Sequence, residues 1–218
     1  MQLTVHPPEH PKAATVGYQP RHGGRSNVTL PEATMTDLEK LLQPAWGYLQ
    51  LGMLQEANDE IENLPPAVKT VKEVLILRAY VYQEAGAWEL LREVGCFLTR
   101  TWPEDYLHWI WLACGTRGCR TLEEAEQLLL EALRLHDSEP MVHFKLASYA
   151  ALLGRLDEAR QHLARAIALK PDCRVMALDE AGLEPLWDEL RKPPPLQPPT
   201  HDRKTHLRLP DRCRHRVP

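Results

Sequence analysis

The sequence predicts an all-α fold, a solenoid of helical hairpins built from four units and a capping helix. Three observations predict it. Small or apolar residues recur at a spacing of 34 in three columns: Ala45, Ala79, Ala113 and Ala147; Ala57, Leu91, Ala125 and Ala159; Leu64, Leu98, Ala132 and Ala166. Gly52, Gly86 and Gly154 form a fourth column, interrupted by Arg120. The four units (38–71, 72–105, 106–139 and 140–173) follow one another without insertion or deletion. A fixed period of this length marks a repeat architecture, whose units bury their apolar faces only against neighbours.

Each unit reads as two helices. The first, such as MVHFKLASYAAL, runs from about position 2 to position 13 of its unit. Alanine at position 8 lets the second helix approach closely. Glycine at position 15 suits a left-handed turn between helices. Position 20 receives the first helix, and position 27 continues that stripe. Proline at position 32 (Pro103, Pro171) cannot continue the second helix and helps to start the next unit. Thr101–Glu104 and Thr121–Glu124 have the spacing of capping boxes.

Three departures need local solutions. Pro44 stands inside the first helix of unit one, so a kink, or a restart near Pro44–Ala45 with MTDLEKLLQ as a separate turn, is expected. Arg78 occupies a usually apolar position of unit two. Unit three lacks the turn glycine, and GTRGCR reads as a looser turn on Gly115 and Gly118. After unit four, residues 174–191 read as the cap, with Trp187 and Leu190 inward and Asp188, Glu189 and Arg191 in water.

The 34-residue helix–turn–helix period, clearest in MVHFKLASYAALLGRLDEARQHLARAIALKP, resembles the tetratricopeptide repeat across residues 38–191. The ending RVMALDEAGLEPLWDEL is similar to the closing helix of small bacterial tetratricopeptide proteins. The resemblance implies a right-handed superhelix with an inner groove lined by positions 2, 5, 6, 9 and 12 of the first helices. At those positions stand the candidate partner-binding residues Leu42, Trp46, Ile76, Tyr80, Leu107, Ile110, Trp111, Met141 and Phe144. The family's carboxylate clamp needs Lys, Asn and Arg there, and only Lys145 fits. A carboxylate among Leu and Trp loses hydration without gaining donors, so acidic-tail recognition of that kind is not expected.

Composition separates ends from body. Residues 1–35 and 192–218 hold 12 of the 19 prolines and 6 of the 10 histidines. The last stretch has seven Lys/Arg against two Asp/Glu, net +5; the first 35 residues sum to +1. The total of −4 therefore leaves −10 on residues 36–191. The ends lack the apolar density to offset ordering and read as disordered. The start MQLTVHPPEH shows no signal-peptide pattern, and YLHWIWLACG is too short to span a bilayer, so a cytoplasmic location is expected. Cys96, Cys114, Cys119, Cys173 and Cys213 form no CxxC pair and read as buried apolar fillers.

No phosphate-loop, dinucleotide, nucleophile-elbow or zinc-protease motif occurs. His143 reads as a packing residue, His108 and His136 as ordinary, and His162 as outward-facing. Acidic runs such as LEEAEQ read as solvated. No catalytic residue, metal site or cofactor is expected. The expected activity is that of a protein-interaction module whose groove holds an apolar or amphipathic segment of a partner protein, chiefly on Trp46, Tyr80, Ile110, Trp111 and Phe144. Other readings of the stripe are plain packing, cover by the chain's own LPEATMTDL, and homo-oligomerisation. The basic stretch 203–216 offers an adaptor for an anionic surface, or folds back on the acidic body; it has no aromatic residue to stack on bases, so nucleic acid is an improbable partner.

Overall fold

A computed structural model describes residues 35–192, with side chains from Leu38 onward. The proline-rich ends and LPEAT lie outside those residues. Four helix pairs follow in order: α1 (Met35–Gln50) and α2 (Leu54–Glu62), α3 (Lys72–Glu84) and α4 (Trp88–Thr101), α5 (Tyr106–Cys119) and α6 (Leu122–Leu135), α7 (Pro140–Leu152) and α8 (Leu156–Leu169). Each helix packs on the next in the chain, and successive first helices also touch: α1 on α3, α3 on α5, α5 on α7. Every residue of the three repeat columns is buried. The columns therefore are the seams: their small side chains set how closely helices approach, and the larger neighbours fill the remaining space.

Gly52, Gly86 and Gly154 have φ of 73°, 65° and 77°, the left-handed turn predicted for them. In unit three the expected loose turn does not form. α5 continues through Gly115 and Gly118 to Cys119, and Arg120 (φ −132°) links it to α6. These two glycines, with Gly95, serve a close approach of α4 to α5. A Cβ on Gly115 would stand 2.5 Å from the Arg92 backbone nitrogen, one on Gly95 2.7 Å from that of Leu112, and one on Gly118 2.1 Å from Trp88 Cγ. The pairs 95/112, 92/115 and 88/118 step along two antiparallel helices.

Of the two candidate capping boxes, one supplies a helix N-cap. The Thr121 hydroxyl oxygen accepts the Glu124 amide at 3.1 Å and opens α6. Thr101 instead ends α4, its hydroxyl donating to the Phe97 carbonyl at 2.9 Å, and Asp105 caps α5 by accepting the Leu107 amide at 3.1 Å. Thr121→Ala is expected to cost about 1 kcal/mol, and Thr101→Ala almost nothing; urea denaturation followed by circular dichroism checks the difference.

Pro44 does not interrupt α1, which runs unbroken from Met35 to Gln50. Pro44 is exposed, so its ring lies outside the core and disturbs no seam. Arg78 is accommodated by ionic partners: Nη1 donates to Glu62 Oε1 at 2.6 Å and to the Tyr82 hydroxyl at 3.2 Å. The Arg78 and Lys69 hydrogen bonds hold the Glu62 carboxyl below its usual range.

The cap is not one helix. A short α9 (Cys173–Met176), a 3-10 turn (Ala181–Leu186) and α10 (Trp187–Arg191) fold together over α7 and α8. Gly182 and Pro185 lie in the 3-10 turn, and Gly182 seats against Ser148, where a Cβ would fall 2.3 Å from its hydroxyl oxygen. Leu190 is buried and Trp187 half-buried, its indole N–H donating to the Ala177 carbonyl at 2.8 Å. Asp188, Glu189 and Arg191 are exposed, and Arg160 of α8 grips Glu189 through Nε and Nη2 at 2.8–3.1 Å.

Candidate functional site

The inner face is built from α1, α3, α5 and α7. Position 9 supplies Trp46 and Tyr80 from the first two units, and position 6 supplies Trp111 from the third. The three rings meet in sequence. Trp46 and Tyr80 lie 5.5 Å apart between centroids, inclined at 59°; Tyr80 meets Trp111 edge-on at 5.1 Å and 81°. His108 stacks beneath Trp111 at 6.0 Å. Such tilted and edge-on pairs place the positive rim of one ring on the negative face of the next.

The nine candidate residues divide by burial. Leu42, Ile76, Ile110, Trp111 and Phe144 are 2–6% exposed and pack between helices. Trp111 belongs to the core formed by Ile76, Ala79, Leu91 and Leu98. The other burials lie in separate core clusters: Leu42 with Ala45, Ala57 and Leu77, Ile110 with Ala113, Ala125 and Leu129, Phe144 with Ala147 and Leu163. Trp46, Tyr80, Leu107 and Met141 are half-buried and bring the stripe to the surface. Larger exposure belongs to apolar residues elsewhere: Leu51 at 74%, Val175 at 67% and Leu135 at 60%.

Polar chemistry takes over toward unit four, where position 9 holds Cys114 and Ser148. Lys145 Nζ donates to Glu180 Oε2 at 3.0 Å and the Ser148 hydroxyl to Glu180 Oε1 at 3.1 Å. Glu180 comes from the cap, so the cap closes this end of the face. Burial alone would raise the Glu180 carboxyl; the Lys145 ammonium, the two hydrogen bonds and the more distant Arg117 outweigh it and hold the carboxyl below its usual range. A depressed carboxyl contributes stability that is complete above the unfolded value near pH 4.3 and is lost as pH falls through the folded value. Glu180→Gln is therefore expected to lower the melting temperature at pH 7 and to flatten its decline below about pH 4.5, which a thermal-melt series across pH checks.

The histidines sit deeper than their spacing implied. His143 is buried as a packing residue, with Nε2 3.0 Å from the Asp137 carbonyl oxygen. His162 does not face outward: it is half-buried, its Nδ1 3.2 Å from that of His143. Since Nε2–H of His143 donates to the carbonyl, one proton on His162 Nδ1 completes the pair. Burial, then the facing His143, lowers the His162 pKa. The ring centroids are 5.5 Å apart, close to the N···N distance plus two ring radii, so the nitrogens face each other in line. That suits a hydrogen bond and leaves no room for an ion between them. His108 is wholly buried, Nδ1 donating to the Trp102 carbonyl oxygen at 2.8 Å. Glu126, in a run read as solvated, is buried against Arg155, the residue before α8, which donates to it. Cys173 is buried as expected, but Cys96, Cys114 and Cys119 are only half-buried. Among the described residues, no group of three or more His, Cys, Asp and Glu side chains is placed to hold a metal ion. No described helix is long and apolar enough to cross a membrane.

No known family's sequence profile and no curated protein matches the chain. Solved structures do. A thermophilic TPR protein of Thermus thermophilus, TTC0263, superposes with a TM-score of 0.55 at 23% identity, over 70% of this chain and 82% of that one. MamA RS-1, an ArsTM double mutant, gives 0.51 at 18% identity over 63% and 78%; MamA MSR-1 gives 0.52 at 19% over 64% and 80%. The chain thus has the tetratricopeptide-repeat fold, a helical-repeat solenoid, as its 34-residue period predicted.

Proposed function

We propose that this chain is a non-enzymatic protein-interaction module whose inner face takes an apolar or amphipathic segment of a partner protein. The carrying observation is the contact pair of half-exposed rings, Trp46 and Tyr80, seated on the buried Trp111. Large rings held rigid by a core beneath them cost little conformational entropy to use, and Trp and Tyr dominate binding hot spots. Leu107 and Met141 extend the surface along α5 and α7. The tetratricopeptide fold of its structural relatives supports the same reading.

The test is a partner captured on full-length protein, with affinities then compared across variants. Trp46→Ala with Tyr80→Ala is expected to weaken binding by about 30-fold, as hot-spot residues do, while leaving the helical circular-dichroism signal in place. Phe97→Ser on α4, remote from the face, is expected to bind normally. The reverse pattern sinks the proposal. A second reading is self-association: Leu41, Leu51 and Met53 give unit one exposed apolar surface at the first end of the described solenoid. Light scattering over a concentration series separates it, since self-association raises the mass with concentration and Leu51→Glu then lowers it.

A further inference from the structure

We propose that residues 193–208 of this chain are a resident ligand of the inner face, lying along it from the cap toward unit one, so that a partner segment must displace them. The inference rests on the inner face being a binding surface. What it adds is the occupant.

Position and length come first. The described chain leaves the array at Lys192, beside the cap that closes unit four, where Arg174 holds the carbonyls of Leu190 and Lys192. From the cap to α1 there are four helix-to-helix steps, about 40 Å at the usual packing distance. An extended proline-rich chain advances about 3.1 Å per residue, so about 13 residues cover that path. Residues 193–218 suffice with slack.

The order of chemistry along the segment matches the order along the face. PPPLQPPTH, residues 193–201, carries no formal charge; Asp202 and then Arg203, Lys204 and Arg208 follow, three cations against one acid. Among the groove positions of the described array, units three and four carry Arg117 and Lys145, and units one and two carry Glu39 and Glu73 with no Lys or Arg. Lys145 is already paired with Glu180 of the cap, so a chain running from the cap lays its neutral prolines across a half whose charge is largely met and delivers its cations to the acidic half. The neutral run also passes Met141, Leu107 and Tyr80, which reach the surface. Proline rings dock on aromatic-lined grooves because the extended helix they favour is already formed and loses little entropy on binding. The array's net −10 against the tail's +5 favours the same association over longer range.

The experiment is photo-cross-linking within the full chain, with p-benzoylphenylalanine placed at Leu196 in one variant and at Leu207 in another. Dilute protein is irradiated, digested and mapped by mass spectrometry. The Leu196 probe is expected to mark α5 and α7, and the Leu207 probe α1 and α3. The second mark should fade in high salt, which screens the ionic contacts. Replacing Pro193, Pro194, Pro195, Pro198 and Pro199 by Ser should abolish the first. Marks on α4, α6 or α8, marks found only in cross-linked dimers, or no marks at all overturn the inference. Failure here leaves the interaction module standing if Trp46→Ala with Tyr80→Ala still loses its partner. If that double variant binds its partner normally, the underlying reading has failed instead.

Discussion

Replacing Gly115 by alanine is expected to destabilise the array by about 3 kcal/mol, at the upper end of overpacking costs, lowering the melting temperature by roughly 10 °C. The added methyl would meet the backbone nitrogen and Cα of Arg92 at 2.5 and 2.7 Å. Backbone inside a helix cannot swing aside, so α4 and α5 must separate and the seam around Leu112 and Gly95 loosens with them. Gly118→Ala makes an informative companion. Its methyl would strike the root of the Trp88 side chain, Cγ at 2.1 Å and Cβ at 2.5 Å, which rotation of the ring does not carry away. Gly118→Ala is therefore expected to destabilise the same seam as well. A Gly115→Ala or Gly118→Ala protein as stable as wild type in thermal melts would show that the two helices do not approach as described.

Trp111→Ala is expected to cost about 3–5 kcal/mol, as removal of a large buried ring does, and Trp111→Glu to leave little folded protein. The ring is 2% exposed, carries Tyr80 edge-on and rests on His108. Its loss opens a cavity among Ile76, Ala79, Leu91 and Leu98 and removes the support beneath the two surface rings. Loss of partner binding in a Trp111 variant would therefore report unfolding rather than a lost contact. Trp46 and Tyr80 are the positions that separate the two effects. Chemical denaturation of Trp46→Ala is expected to show a smaller stability change than Trp111→Ala; a larger one would place Trp46 in the core.

Much of the architecture was legible in the chain. The repeat columns located buried positions in all four units, and the turn glycines named three of four intra-unit turns, because an Ala or Gly in register every 34 residues reports a local geometric need. The misreadings share one origin. Gly115 and Gly118 look like turn formers by composition, yet they lie in a helix interior, spaced three apart on one side of α5. Their spacing from Gly95 across two helices was the available signal, but it has meaning only once α4 is known to cross α5. Thr101 has the residues of a capping box, but α4 continues to Thr101 and makes it a helix end.

The sequence by itself determined the helical-repeat class and the buried small-residue column of the helices, since both depend on residues within one unit or its nearest repeat. Tertiary structure alone decided which inward side chains reach the surface. Trp46 and Trp111 are the same residue type on equivalent stripes, yet one is half-buried and the other 2% exposed. The difference lies in the neighbours: Trp111 sits on His108 and beneath Tyr80, where α4 and α5 close on their glycines. Glu180 likewise finds Lys145 and Ser148 across more than thirty residues of chain. Burial is a sum over contacts from several units, and the period of one chain does not carry that sum.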